Sequence, residues 1–208
     1  LLLNRRGHST TITCSNCGFT YRCPHCDITL TYHKSSNNMR CHYCGYTKYL
    51  DNISPKCHET SLNYYGLGTE KLEEYIKDAF PTARVIRMDA DSVSNKGSHA
   101  KVTEAFASGK YDILLGTQMI SKGLDFPNVT LVGIINADAS LNIPDYQSNE
   151  RTFELLCQAS GRSGRGEKKG EVFIQTYNPE NFSIQAAQKQ NYLEFYETEL
   201  ALRKQLKY

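Results

Sequence analysis

Residues 111–126 read YDILLGTQMISKGLDF. Ile113, Leu114 and Leu115 form a short apolar run, the pattern of a strand buried on both faces, and the Gly116-Thr117 step ends it abruptly. A loop that leaves a buried strand in this way exposes backbone amides and a hydroxyl that can meet a phosphate. Working outward from this strand, the same alternation recurs. Upstream, ARVIRM (83–88) reads as a strand and HAKVTEAFASG (99–109) as a helix stopped by Gly109. Before them, LNYYG (62–66) reads as a strand, followed by a helix that Thr69 can cap. Its apolar residues Leu72, Tyr75, Ile76, Ala79 and Phe80 follow helical spacing until Pro81. Downstream come the strand VTLVGIIN (129–136), a helix around ERTFELLCQAS (150–160), the strand EVFIQTY (171–177) and a long final helix from about Phe182. Strands that alternate with helices predict an α/β fold, a parallel sheet with helices on both faces. LLLNRR (1–6) reads as a further strand of that sheet.

Between this first strand and the rest lies a segment of different composition. CSNC (14–17), CPHC (23–26) and CHYC (41–44) are three C-x-x-C knuckles, and Cys57 follows alone. Each knuckle sets two thiolates on one side of a tight turn, and two knuckles complete the tetrahedral sulfur shell that Zn²⁺ prefers. The segment holds few aliphatic side chains, so metal binding is expected to supply much of its folding free energy. Two tetrahedral sites need one ligand beyond the seven cysteines. His58 is the nearest candidate, although one residue from Cys57 is an awkward spacing for chelation; Glu59, a water or no metal at all are the alternatives. His25, His33 and His42 read as surface residues or as supports for the ligands. A cysteine pairing forward from Cys57 would stand at 60, where the chain has Thr60. The domain plan is therefore 1–11 as the first strand, 12–62 as an inserted zinc-knuckle domain and 63–208 as the sheet domain. Cys157 reads as a small buried hydrophobe.

Charge is uneven along the chain. Residues 1–58 carry seven Lys and Arg against two Asp and Glu, and residues 59–208 carry seventeen against twenty. A basic, tyrosine-bearing group made of Tyr21, Arg22, Tyr32, Lys34, Arg40, Tyr43, Tyr46 and Lys48 suits nucleic acid. No apolar run approaches the roughly 18 residues of a membrane helix. No secretory signal is visible, so a cytoplasmic piece of a longer protein is expected.

A second loop carries the sharper chemistry. QASGRSGRG (158–166) brings Arg162 and Arg165 off the end of a helix, and a guanidinium fork matches phosphate oxygens in pairs. GTQMISKGLDFPNV and QASGRSGRG resemble motifs V and VI of superfamily 2 helicases. Together with LLLNRRG, the knuckles and GLGTEKLEEYI, they are similar to the primosomal replication-restart helicases.

That resemblance implies a RecA-like second motor lobe, with ATP and Mg²⁺ bound between it and another lobe. It implies arginine fingers at Arg165 and Arg162, a nucleotide-facing surface with Gln158, Gly123 and Asp125 (the last toward the ribose), and Thr117 on a DNA phosphate, with Lys122 sharing either duty. It implies that the first and fourth knuckles share one zinc while the second and third share the other, and that Thr60 stands where relatives carry their last cysteine. Forked DNA or a single-strand/duplex junction, other primosome proteins, single-stranded DNA-binding protein and unwinding in the 3′–5′ sense come with it. No G-x-x-x-x-G-K-[ST] loop is present in the chain. The chain is thus expected to be half a motor, inactive toward ATP alone, and Asp89 and Asp138, at the ends of strands, are expected to be structural. The alternative is a zinc-dependent nucleic-acid or protein-binding module with no motor function.

Overall fold

The computed structural model describes residues 1–4, 11–33, 37–60, 62–63, 69–89, 92–93, 97–121, 124, 126–163 and 169–208. The chain divides into two compact units. The first comprises Leu1–Arg5, Leu67–Ala137 and Leu155–Gln175; the second comprises Arg6–Gly66, Asp138–Glu154 and Thr176–Tyr208.

The first unit is built on a five-stranded sheet. Its strands are β1 (Leu2–Leu3), β7 (Val85–Met88), β8 (Ile113–Gly116), β9 (Leu131–Ile135) and β10 (Glu171–Ile174), in the spatial order β10-β9-β1-β8-β7. Every pairing is parallel. The chain's first strand thus lies at the centre, where Leu2 pairs with both Gly116 and Ile134. Strand periodicity then sorts the side chains between two faces. Ile113, Leu115 and Val85 pack with Leu3, Leu72 and Ile76. Leu114, Met88 and Ile86 pack instead with Val102, Phe106, Ile120 and Phe126. The helix α1 (Thr69–Ala79) supplies Leu72 and Ile76 to one face and α2 (Ser98–Ala107) supplies Val102 and Phe106 to the other, so helices cover both faces as the alternating pattern predicts. Gly116 closes β8 where a side chain could not: an added Cβ would strike the Met88 carbonyl and Ile120.

In the second unit the cysteine-rich chain forms β2 (Thr13–Cys14), a three-stranded antiparallel sheet of β3 (Thr31–His33), β4 (Asn38–Arg40) and β5 (Thr47–Tyr49), and β6 (Leu62–Asn63). Ile12, Tyr21, Ile28, Leu30, Met39 and Leu50 bury a small core among the cysteines. The same unit holds α3 (Asp138–Leu141), the start of α4 (Ser148–Ser160), α5 (Phe182–Lys189) and α6 (Tyr192–Leu206), and so extends beyond residues 12–62.

Three local expectations are corrected. Leu62–Asn63 pairs antiparallel with Thr13–Cys14 and is no part of the parallel sheet. Of the five apolar residues expected on the helix, only Leu72 and Ile76 are buried; Tyr75 and Ala79 are exposed, as is Phe80 just beyond the end of α1. The final helix is two helices: Gln190 adopts a left-handed φ of 53° and closes α5, then the Asn191 side chain accepts from the Glu194 amide and starts α6. The expected strand residues Tyr64 to Gly66 lie outside the described residues. Thr69 begins its helix, but its hydroxyl donates to buried Asp89 at 2.6 Å.

Candidate metal centres and motor loops

Four turns in the second unit share one backbone plan. In each, the first residue's amide donates to the carbonyl five residues on, and the amide four residues on donates back to the first carbonyl. The pairs are Cys14 with Phe19 and Gly18, Cys23 with Ile28 and Asp27, Cys41 with Tyr46 and Gly45, and Ser54 with Glu59 and His58, all at 2.8–3.0 Å. The residue in fourth place after the start has positive φ every time: Gly18 69°, Asp27 49°, Gly45 78° and His58 59°. The first residue is buried every time. This plan lifts both knuckle side chains to one side of the turn.

Cys23, Cys26, Cys41 and Cys44 bring their sulfurs within 4.8 Å of one another, and Cys14, Cys17 and Cys57 do the same. Zn–S bonds of about 2.3 Å imply tetrahedral edges of about 3.8 Å. The sulfurs of Cys23 and Cys44 lie 3.5 Å apart in the first cluster, and those of Cys14 and Cys57 lie 3.6 Å apart in the second. Both clusters fit zinc in donor type and span, and the knuckles pair as the resemblance implies: first with fourth, second with third. Thiols so close cannot all ionise without a cation. Burial, then the neighbouring thiols of Cys44 and Cys41, push Cys26 up to about 12, while a backbone amide at Tyr46 heads the causes that lower Cys44 to about 7. A divalent cation removes that conflict.

The fourth knuckle is not where the sequence reading set it. Thr60 is exposed and lies beyond the turn, and the place equivalent to Cys14, Cys23 and Cys41 belongs to Ser54. His58 occupies the left-handed turn position, is exposed and does not join the sulfur cluster. The signal was present: SPKC (54–57) repeats the pattern of CPHC (23–26) with serine for cysteine. His25 packs edge-on against Tyr46 and His33 against His42, outside both clusters.

The basic aromatic group is largely taken up by the fold. Tyr21 is 3 % exposed, under the Lys48 ammonium, and donates to the Asp51 carbonyl. Arg22 forks onto Asp27. Tyr32 donates to Asn37 and Tyr46 packs on the core. Arg40, Tyr43 and Lys48 remain outward, joined by Tyr49, which is 79 % exposed and which residue-type reasoning had not included. Lys34 lies outside the described residues.

In the first unit, a 3₁₀ turn over Gln118–Ser121 follows β8 and Thr117. At the C-terminal end of α4, Arg162 turns toward that loop. Its Nε and Nη2 donate to the Ser121 carbonyl at 3.2 and 2.8 Å, and its Nη1 donates to the Leu124 carbonyl. The guanidinium thus fastens one loop to the other, a contact no spacing rule had indicated. Gln158 is exposed on α4 and Thr117 half-buried at the end of β8. Lys122, Gly123, Asp125 and Arg165 lie outside the described residues. Cys157 is half-buried, and burial raises its thiol. Asp89 accepts from Thr69 and the Ser92 amide, and Asp138 from the Tyr177 amide and Asn178, which gives both acids structural work. No helix among the described residues is long and apolar enough to cross a membrane.

Comparison with known proteins matches this layout. Residues 23–48 match the PriA DNA helicase Cys-rich region (CRR) domain, and residues 52–167 match the helicase conserved C-terminal domain. The replication restart protein PriA of Bacillus subtilis (strain 168) is 51% identical over 208 residues, all of this chain and 26% of that protein. The PriA proteins of Synechocystis sp. (strain ATCC 27184 / PCC 6803 / Kazusa) and Chlamydia muridarum (strain MoPn / Nigg) are 45% and 46% identical over 212 and 211 residues, again all of this chain, with 26% and 28% of their own lengths covered. The chain spans about a quarter of the length of the curated relatives it matches. With a parallel sheet, two motif-bearing loops joined by Arg162 and paired cysteine knuckles, the chain belongs to the helicase conserved C-terminal domain family, in the form that carries the PriA-type cysteine-rich region.

Proposed function

We propose that this chain is the second motor lobe and zinc platform of an ATP-dependent DNA helicase that acts in replication restart. What supports it is the link between the two loops, on top of the family match over residues 52–167. In a motor of two lobes, the second must sense the nucleotide and pass its state to DNA. A loop bearing Arg162 and Arg165 would meet the γ-phosphoryl group, and the loop after β8 would meet the DNA backbone through Thr117. Arg162 joins them directly.

The roles divide accordingly. Arg165 would stabilise the charge on the transferring phosphoryl group, and Arg162 would hold the loop from which it acts. Gln158, Gly123 and Asp125 would line the nucleotide side, and Lys122 would stand between phosphate and nucleotide duties. ATP and Mg²⁺ would be held chiefly by the lobe that has a phosphate-cradling loop, since this chain has none. The zinc platform would present Arg40, Tyr43, Lys48 and Tyr49 to DNA at a fork or a single-strand/duplex junction, with unwinding in the 3′–5′ sense. Other primosome proteins and single-stranded DNA-binding protein would be the protein partners, in the cytoplasm. Domain limits of 1–11, 12–62 and 63–208 remain our division of the chain by role.

The test is hydrolysis by the purified chain with single-stranded DNA. The expected result is no turnover above background, restored only with the partner lobe. Steady DNA-stimulated turnover by the chain alone would reject the division of labour.

A further inference from the structure

We infer that Ser54 is the fourth ligand of the Cys14/Cys17/Cys57 centre, which makes it a zinc site of three thiolates and one serine oxygen, more readily emptied than the four-thiolate site beside it. Four observations converge on Ser54. It begins a knuckle with the same two backbone hydrogen bonds as Cys14, Cys23 and Cys41. It is 0 % exposed, as Cys14 and Cys41 are, although serine is seldom fully buried. Its Oγ lies 3.5 Å from the Cys17 sulfur. A zinc ion with a sulfur at about 2.3 Å and an oxygen at about 2.1 Å places those two atoms about 3.6 Å apart. Finally, the Lys56 amide points at Ser54 Oγ from 3.4 Å, an orientation suited to a ligand atom carrying negative charge.

The competing residues are placed elsewhere. His58 stands in the turn position that Gly18, Asp27 and Gly45 occupy in the other knuckles, exposed and outside the cluster. Glu59 is exposed and gives its carbonyl to the Ser54 amide, and Thr60 lies further on.

Replacing a thiolate with a serine oxygen changes the bond more than the shape. Sulfur is the softer and stronger donor toward zinc, and a neutral hydroxyl must share or lose its proton to compete. Changes in groups that merely support ligands cost 10–100-fold in metal affinity, so exchange of a ligand itself should cost on the order of 100-fold or more. The chain would then hold one tight and one labile zinc in neighbouring turns.

The test needs neither ATP nor DNA. Zinc per chain is measured by elemental analysis after metal saturation, and release is followed during chelator challenge, for the wild-type chain and for Ser54→Cys, Ser54→Ala and His58→Ala. Zinc-edge X-ray absorption counts sulfur and oxygen neighbours. The expected result is two zincs in the wild type with a shell averaging seven sulfurs to one oxygen, and release in two phases. Ser54→Cys should abolish the fast phase and convert the shell to sulfur alone. Ser54→Ala should lose one zinc or release it faster still, and His58→Ala should match the wild type. Because Ser54→Cys strengthens the site, a folding failure in Ser54→Ala leaves the decision intact. One zinc per saturated wild-type chain, a single release phase unchanged in Ser54→Cys, or loss of a zinc in His58→Ala would each overturn the assignment.

Discussion

Removing the Arg162 side chain should loosen two loops at once. The guanidinium makes three N–H bonds to two backbone carbonyls, those of Ser121 and Leu124, and Ser121 is itself buried. Hydrogen bonds from a charged group contribute about 1.5–3 kcal/mol, but three bonds on one fork are not additive, and Arg162 is only half-buried. A total near 2 kcal/mol is the reasonable scale for Arg162→Ala, since two carbonyls also lose their partner. For a chain of this size that corresponds to a melting shift of about 4–8 °C. Arg162→Lys should recover less than half, because an ammonium cannot reach both carbonyls with a planar fork. Urea and thermal unfolding of the zinc-loaded variants measure both numbers. A shift for Arg162→Ala of less than about 1 °C would refute the claim that this side chain ties the loops together.

Other perturbations test the frame around the sites. Burial alone would raise Asp89, but hydrogen bonds from Thr69 and Ser92 and the charge of Arg87 hold its carboxyl below the usual range. A carboxyl depressed in the folded state contributes stability that is present above its unfolded value near pH 3.9 and lost as pH falls through the folded value. Denaturant midpoints between pH 3 and 6 should therefore show an acid-side loss that Asp89→Asn removes, and an unchanged profile would count against that network. Gly18→Ala faces both a φ of 69° and overlap with Tyr177, whereas Gly45→Ala has a φ of 78° and open space. Thermal unfolding should separate them, with about 2–4 kcal/mol lost at 18 and about 1 kcal/mol at 45; equal losses would mean the Tyr177 contact is not formed. Asn191→Ala should cost about 1 kcal/mol by removing the cap that starts α6, visible as lowered helical signal at the onset of melting; a change under about 0.3 kcal/mol would mean the α5–α6 break is held by something else.

The parallel sheet was legible because its strands are apolar runs with loops of Gly, Pro and Thr at their ends, and LLLNRR was legible as a further strand, while its central place shows only in the pairing. The seven cysteines that gather into two clusters were legible as knuckles from their spacing, and their grouping came with the family resemblance. The start of the fourth turn was not legible, because SPKC carries a serine where the other knuckles begin with cysteine and its kinship with them shows in backbone hydrogen bonds. The break at Gln190 carried its own signal, Asn191 three residues ahead of Glu194, but the apolar pattern ran past it. The basic group dissolved for a different reason. A segment this small must build its core from whatever rings it has, so Tyr21 and Tyr46 turned inward and left Tyr49 outside. The bonds from Arg162 to the Ser121 and Leu124 carbonyls were not legible, because the fold brings those residues to it from 41 and 38 positions away.

The most direct test of the proposed motor role supplies this chain with a P-loop lobe and changes Arg165→Ala. DNA-stimulated ATP hydrolysis, DNA affinity and zinc content are then measured together. Hydrolysis should fall by about 10³-fold or more, the scale of a transition-state arginine, with zinc content unchanged and DNA affinity largely retained. Hydrolysis within a few-fold of the unaltered protein would contradict the assignment of this lobe as the one that completes the ATP site.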